Sequence, residues 1–366
     1  MSDLKYLFAY TIPMATLLSL LSSGMFTYSA PIYAFIIIPL LELLLKDFNT
    51  HYSDAQKEKR LNNILFDLLL YLNIPFVFGI LGYGFYILNN KVLLNYETIG
   101  IILSLGILLA TNAINVAHEL GHRTSQSERI LSKLLLLPCL YMHFYLEHNF
   151  GHHKNVATPE DPATSKLNQS VYHFWMTSVF NQYLNAWRIQ SRLLKKENKG
   201  FLSFKNDMMW YTLFQTTYLA MWAITFGTMG LFFAVIVGIL SFVFLETINY
   251  IEHYGLVRKK LPSGRYERVQ THHSWNSNHI IGRIVLYELT RHSDHHFKAS
   301  KKYQILENKK ESPQLPFGYP TSILLSLVPP LWFWIMNSRI PDNKSTSISA
   351  LSSVFFLLIR KKPSLN

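Results

Sequence analysis

The stretch TIGIILSLGILLATNAINVAHELGH, residues 98–122, carries the two features that decide the fold. From Thr98 to Ala117 it holds no Asp, Glu, Lys or Arg, and a helix of about 20 such residues crosses the roughly 30 Å hydrocarbon core of a bilayer. A soluble helix would instead alternate polar and apolar faces at helical period. At the end of the run stand His118 and His122, whose spacing of four puts both rings on one helical face, one turn apart. The stretch therefore reads as a membrane span that delivers two imidazoles to one membrane boundary.

Working outward, blocks of the same character lie near 7–23, 30–45, 66–88, 209–226 and 230–250, which with 98–118 make six spans. Apolar residues are 49% of the chain and charged residues 15%, and the apolar ones come in blocks. The expected fold is all-α: an integral membrane bundle of six transmembrane helices with a histidine-rich cap. The first block lacks a basic leader beyond Lys5 and a second follows at once, so it reads as a retained helix. Residues 1–340 form one domain, with a polar, partly helical insertion over 119–208 and a second polar region over 251–340. Tyr319 to Trp334 is apolar but contains Pro320, Pro329 and Pro330, so it reads as a segment at the interface. Residues 341–366 read as a tail whose Val354–Ile359 run is too short to cross.

Loop charge sets the orientation. Lys46, Lys57, Lys59 and Arg60 lie between the second and third spans, the long loop after the fourth is rich in Lys and Arg, and the opposite face carries only Lys91. The positive-inside rule places both termini and the long loops in the cytoplasm. The net charge of +12 then sits almost wholly on that face. Topology and anionic lipid account for it; an acidic soluble partner steered there is a further reading, and no nucleic-acid partner is expected. Cys139 is the only cysteine, so no intramolecular disulfide forms.

The 15 histidines are clustered. Besides His118 and His122 there are His148, His152 and His153, then His253 in Asn249–Gly255, then His292, His295 and His296. The pair His148 and His152 again has helical spacing, with a third ring beside it. Each cluster alone is weak; four at one expected depth, beside span ends, point to a metal site. Nine rings exceed the three ligands of a catalytic zinc and suit two metals with open positions. Imidazole does not choose among iron, copper, nickel and zinc. A lipid-soluble substrate without a polar handle calls for oxygen chemistry, which favours iron. Glu119, Glu147, Glu252 and Asp294 each adjoin one of these rings and are candidates to fix ring orientation. His51 and His173 read as surface residues. His143 lies near the second cluster, and the run from His272 and His273 to His279 is expected to order a loop beneath the site.

The segments His118–Arg123, Glu147–His153, Asn249–Leu256, Thr271–His279, Arg291–His296 and Pro313–Pro320 resemble those of bacterial membrane alkane 1-monooxygenases, within the membrane fatty-acid desaturase and hydroxylase superfamily. The resemblance covers roughly 35–340. It implies a non-haem di-iron site held by His118, His122, His148, His152, His153, His253, His292, His295 and His296. It also implies O2 as co-substrate and hydroxylation of the terminal methyl of medium-to-long n-alkanes. Electrons would come from rubredoxin, reduced by an NADH-dependent rubredoxin reductase, at the bacterial inner membrane with the iron on the cytoplasmic side. Arg123 stands where Lys is usual and Thr290 where Gln is usual. Selectivity for the chain end requires an apolar tunnel, for which Phe35, Ile36, Phe76, Phe78, Phe242 and Phe244 are suitable linings. Alternatives are a fatty-acyl or aromatic-methyl hydroxylase or desaturase on the same site, an intramembrane zinc peptidase on His118–His122, and a metal or oxygen sensor.

Overall fold

The structure is a computed structural model that describes residues 3–45 and 51–341. The expected tail therefore lies outside the described residues. Among the described residues the regular structure is helical, with two isolated β-bridges.

Among the described residues five helices are long and apolar enough to cross a membrane: α1 (Asp3–Leu21), α2 (Gly24–Leu44), α4 (Leu65–Asn90), α5 (Asn95–Gly121) and α9 (Asp207–His253). A short polar helix, α3 (Asp54–Leu61), separates α2 from α4 and begins with a capping box between Ser53 and Gln56. The expected pair at 209–226 and 230–250 is a single 47-residue element broken at Phe226 and Gly227. Gly227 has φ +65° and ψ −156°, a conformation open essentially to glycine alone. The Asp207 end pairs with Lys133 at 2.6 Å, and the His253 end meets His292 at 3.1 Å. Both ends thus lie on the histidine side, and α9 consists of two arms.

Polar contacts tie the apolar helices together. Ser104 Oγ donates to Ser19 Oγ at 3.0 Å, and Asn112 Nδ2 donates to Asn73 Oδ1 at 2.8 Å. Such bonds between membrane helices contribute on average about 0.6 kcal/mol each. The first helix is also anchored to the cap: Tyr6 Oη donates to the buried Glu288 at 2.8 Å, and Glu288 pairs with Arg283 at 3.0 Å.

The cap is built from shorter pieces. These are α6 (Gln126–Leu136), a helical run α7 over 144–155, α8 (Val171–Lys196), α10 (Ile280–Val285) and α11 (His292–Phe297). The apolar, proline-bearing stretch forms two short helices, α12 (Tyr319–Ser326) and α13 (Pro329–Met336). Each has proline in its first turn, where the missing N–H costs nothing. Two helices of eight residues are each too short to cross.

Candidate metal centre

All nine sequence-selected histidines converge where α5, α7, the end of α9 and α11 meet. They fall into two adjoining groups: His118, His122, His148, His153 and His295 in one, and His152, His253, His292 and His296 in the other. The rings of His153 and His296 connect them, with centroids 4.4 Å apart.

The partition differs from the simple helical expectation in α7. His148 and His152, four apart, go to different groups, while His148 and His153, five apart, bring their Nε2 atoms to 3.0 Å. The cause is a π-helical turn over His148–His152, whose i to i+5 register aligns residues five apart. In α11 the ordinary α register holds His292 and His296 together and turns His295 to the other group.

These rings fit metal ions. Within the larger group, Nε2 of His122 lies 3.1 Å from that of His148 and 3.2 Å from that of His153. In the smaller one, Nε2 of His292 lies 3.1 Å from that of His253, and that of His152 lies 3.2 Å from that of His296. Three mutually adjacent Nε2 atoms cannot all satisfy one another by hydrogen bonds, since each neutral ring offers a single N–H. Separations near 3 Å match neighbouring ligands around one ion with bonds of about 2.1 Å. Burial, with adjacent imidazoles adding to it, holds His148, His153, His292, His295 and His296 well below the ordinary imidazole range. Neutral rings present the lone pairs a metal needs.

His152 behaves differently. Burial disfavours its charged form, but Asp161 outweighs that and raises it, with Nδ1 and Oδ2 2.8 Å apart. Asp161 is itself held by Thr164 Oγ1 at 2.5 Å and by the Ala163 N–H at 3.1 Å. It lies outside the four carboxylates singled out from sequence. The signal that leads to it is the need of a metal-facing ring for an acceptor on its far nitrogen.

The four selected carboxylates have other partners. Glu119 pairs with Arg123 at 2.8 Å and accepts the Tyr303 N–H at 3.2 Å. Glu147 accepts from Asn185 at 3.0 Å, and Asp294 accepts the Glu307 N–H at 2.8 Å and pairs with Lys301. Glu252 alone reaches a site ring, with Oε2 3.2 Å from His292 Nε2 while Tyr319 Oη donates to Oε1 at 2.6 Å. A peptidase built on His118 and His122 would need Glu119 aimed between them; here it is turned into an ion pair.

Of the remaining histidines, His51 and His173 are exposed, and His143 is buried against Tyr141 and Tyr183. His272, His273 and His279 join neither group. Their segment braces the site instead: the Trp275 backbone N–H donates to the Glu252 carbonyl at 2.8 Å, and Asn276 Oδ1 accepts the Ser293 N–H at 2.8 Å.

An apolar passage leads to the rings. A narrow inner cavity is bounded by His118, His148, His292, Glu252, Ala110 and Ile248. An outer one shares Ala110 and Ile248 with it and extends between Phe35, Phe244 and Ile323. Of the expected linings, Phe35 and Phe244 stand there, stacked at 5.8 Å. Ile36 and Phe76 are exposed, and Phe78 and Phe242 pack into the core.

Apolar crossing-length helices around a paired polyhistidine centre define the membrane desaturase and hydroxylase class. The fatty acid desaturase family model matches residues 95–323. Alkane 1-monooxygenase 2 of Alcanivorax borkumensis is 37% identical over 84% of this chain and 81% of its own length. Alkane 1-monooxygenase 2 of Pseudomonas aeruginosa is 35% identical over 83% and 81%. The xylene/toluene monooxygenase hydroxylase component XylM of Pseudomonas putida is 27% identical over 91% and 87%. The chain belongs to the alkane 1-monooxygenase family.

Proposed function

We propose that this protein is an alkane 1-monooxygenase that converts the terminal methyl of a medium-to-long n-alkane to a primary alcohol. Alkane, O2, two electrons and two protons give alcohol and water. The observation that carries this reading is an apolar passage that ends on two buried polyhistidine groups. When bound there, a pair of non-haem iron ions supplies the oxygen activation that an unactivated C–H bond requires.

The chain's own residues do the rest. The nine histidines hold the ions, and Asp161 fixes the His152 ring. Tyr319 holds Glu252 against the inner cavity. Terminal C–H bonds are stronger than internal ones, so selectivity comes from shape. A chain threading between Ala110 and Ile248 presents its end, not its middle, to the rings. The charge pattern supports six crossings with the histidines on the cytoplasmic side of the inner membrane. Reduced rubredoxin, regenerated by an NADH-dependent reductase, is the proposed electron donor, and its encounter is favoured by the +12 charge.

The test is metal analysis and product analysis of the purified protein supplied with reduced rubredoxin. About two irons per chain and primary alcohol from an n-alkane support the reading. Zinc alone after iron-replete expression, or turnover only of acyl or aromatic-methyl substrates, overturns it. His292→Ala should lose activity and lower iron content together; normal iron with full activity would remove His292 from the ligand set.

A further inference from the structure

Helix α8 (Val171–Lys196) lies along the rim of the bundle and shows three separate sectors. One is buried: Ser178 and Gln182 donate to Glu246 at 2.7 and 2.8 Å, and Asn185 donates to Glu147 at 3.0 Å. A second is exposed and polar, with His173, Asn181, Arg188 and Arg192. Between them runs a third sector, exposed and apolar: Tyr172, Met176, Phe180 and Tyr183, at the spacing of one helical stripe. Met176 is 77% exposed and Phe180 63%.

Past Tyr183 the apolar surface runs on through the half-buried Trp187, which stacks on Phe201 of the following loop at 5.7 Å. The loop after it projects Leu202 and Phe204, the latter 87% exposed. Phe204 stacks on Trp210 at 6.3 Å, and Trp210 on Phe214 at 5.7 Å. Trp210 and Phe214 are on the first arm of α9, so the apolar surface is continuous with the outward face of a membrane-crossing helix. Arg188, Arg192, Lys195, Lys196 and Lys199 gather at the same end of α8, all exposed and without ion pairs among the described residues. Contiguous exposed apolar surface marks an interaction site. An amphipathic helix with aromatic residues on one face and cations beside them is built to lie in a lipid interface.

We propose that α8 and the loop after it are seated in the leaflet on the histidine side, with Met176 and Phe180 among the acyl chains and the cations on anionic phospholipid headgroups. The helix lies on edge: bundle to one side, lipid beneath, water above. Its buried sector grips Glu147, next to His148, and Glu246, on the arm ending at His253. Lipid contact and the metal-bearing segments thus share one rigid element. The inference rests on membrane insertion of the bundle and is independent of the reaction catalysed.

Cys139 is fully buried, so an introduced cysteine can be labelled selectively. The full-length protein would carry an environment-sensitive fluorophore at Phe180→Cys, Asn181→Cys or Ile36→Cys, in bilayers of phosphatidylcholine with or without phosphatidylglycerol. Ile36 lies on the outward face of α2 and reports insertion of the bundle itself. Brominated lipid should quench positions 36 and 180 at least about twofold, while aqueous iodide should quench only 181. Quenching of position 180 by iodide places the stripe in water and overturns the inference. Shielding of 180 from both quenchers assigns the stripe to a protein contact and likewise overturns it. Loss of lipid quenching at 36 as well would instead indict membrane insertion. Phosphatidylglycerol should deepen quenching at 180, and the quadruple change R188Q/R192Q/K195Q/K196Q should abolish that increment. An increment that survives it overturns the headgroup assignment.

Discussion

At the residue scale, Asp161 determines how firmly His152 is aimed. An acceptor on the far nitrogen of a metal-binding ring fixes its tautomer, and losing it typically costs 10- to 100-fold in metal affinity, on the order measured for such partners. Asp161→Ala should therefore weaken iron retention against a chelator by about that factor, with little change in helix content by circular dichroism. Retention equal to the parent would show that the His152 ring is aimed without this acceptor. His143 gives a pH prediction. Burial holds its ring at about 3, against an ordinary 6.5. Below the ordinary value the unfolded chain takes up a proton that the folded one refuses, so stability falls as pH drops, by about 1.4 kcal/mol per unit, down toward the folded value. His143→Phe should remove one proton's share of that slope in detergent-unfolding titrations between neutral and mildly acidic pH; an unchanged slope would show that His143 is protonated in the fold. The convergence of the nine histidines was legible because they stand in four clusters beside span ends. Asp161, between two prolines in a loop, carries no such signature until the His152 ring is seen to need an acceptor.

At the element scale, two departures from regular α geometry organise the protein. The π turn over His148–His152 sends His152 to one group and its neighbours to the other. Spacing in the sequence implies the opposite pairing, because a single inserted register shift leaves no periodic trace. The break at Phe226–Gly227 reverses α9. Here the sequence was informative: two apolar blocks flank a glycine, although each arm is helical to within a residue or two of it. A Cβ at Gly227 meets nothing within 4 Å, so alanine there is penalised by backbone conformation alone. Gly227→Ala should destabilise the folded protein by roughly 1–3 kcal/mol, visible as a lower thermal midpoint with unaltered iron content. The three sectors of α8 escaped the sequence reading for a related reason. Its periodicity is visible, but which apolar residues face the bundle depends on packing against Glu246 and Glu147.

At the scale of the whole molecule, the bundle and its cap form one apolar route with a polar end. Ala110 stands on the π-helical turn Leu109–Ile114, where the two cavities adjoin. Ala110→Trp should reduce alkane turnover on the order of a hundredfold by closing the route while iron content stays normal. Normal turnover would place the substrate path elsewhere. That the chain carries several apolar helices of crossing length was readable from composition, since hydrocarbon tolerates few charges. The route itself was not, because lipid-facing, core and cavity-lining phenylalanines are the same residue in sequence.

The two histidine groups draw on widely separated parts of the chain, and each takes at least one ring from α11. During synthesis, His118 and His122 emerge long before His292, His295 and His296. Neither group is complete until the ribosome has passed α11. Any metal held by a complete group would accordingly load late in biogenesis, and a nascent chain arrested before that point carries fragments of both groups and the whole of neither.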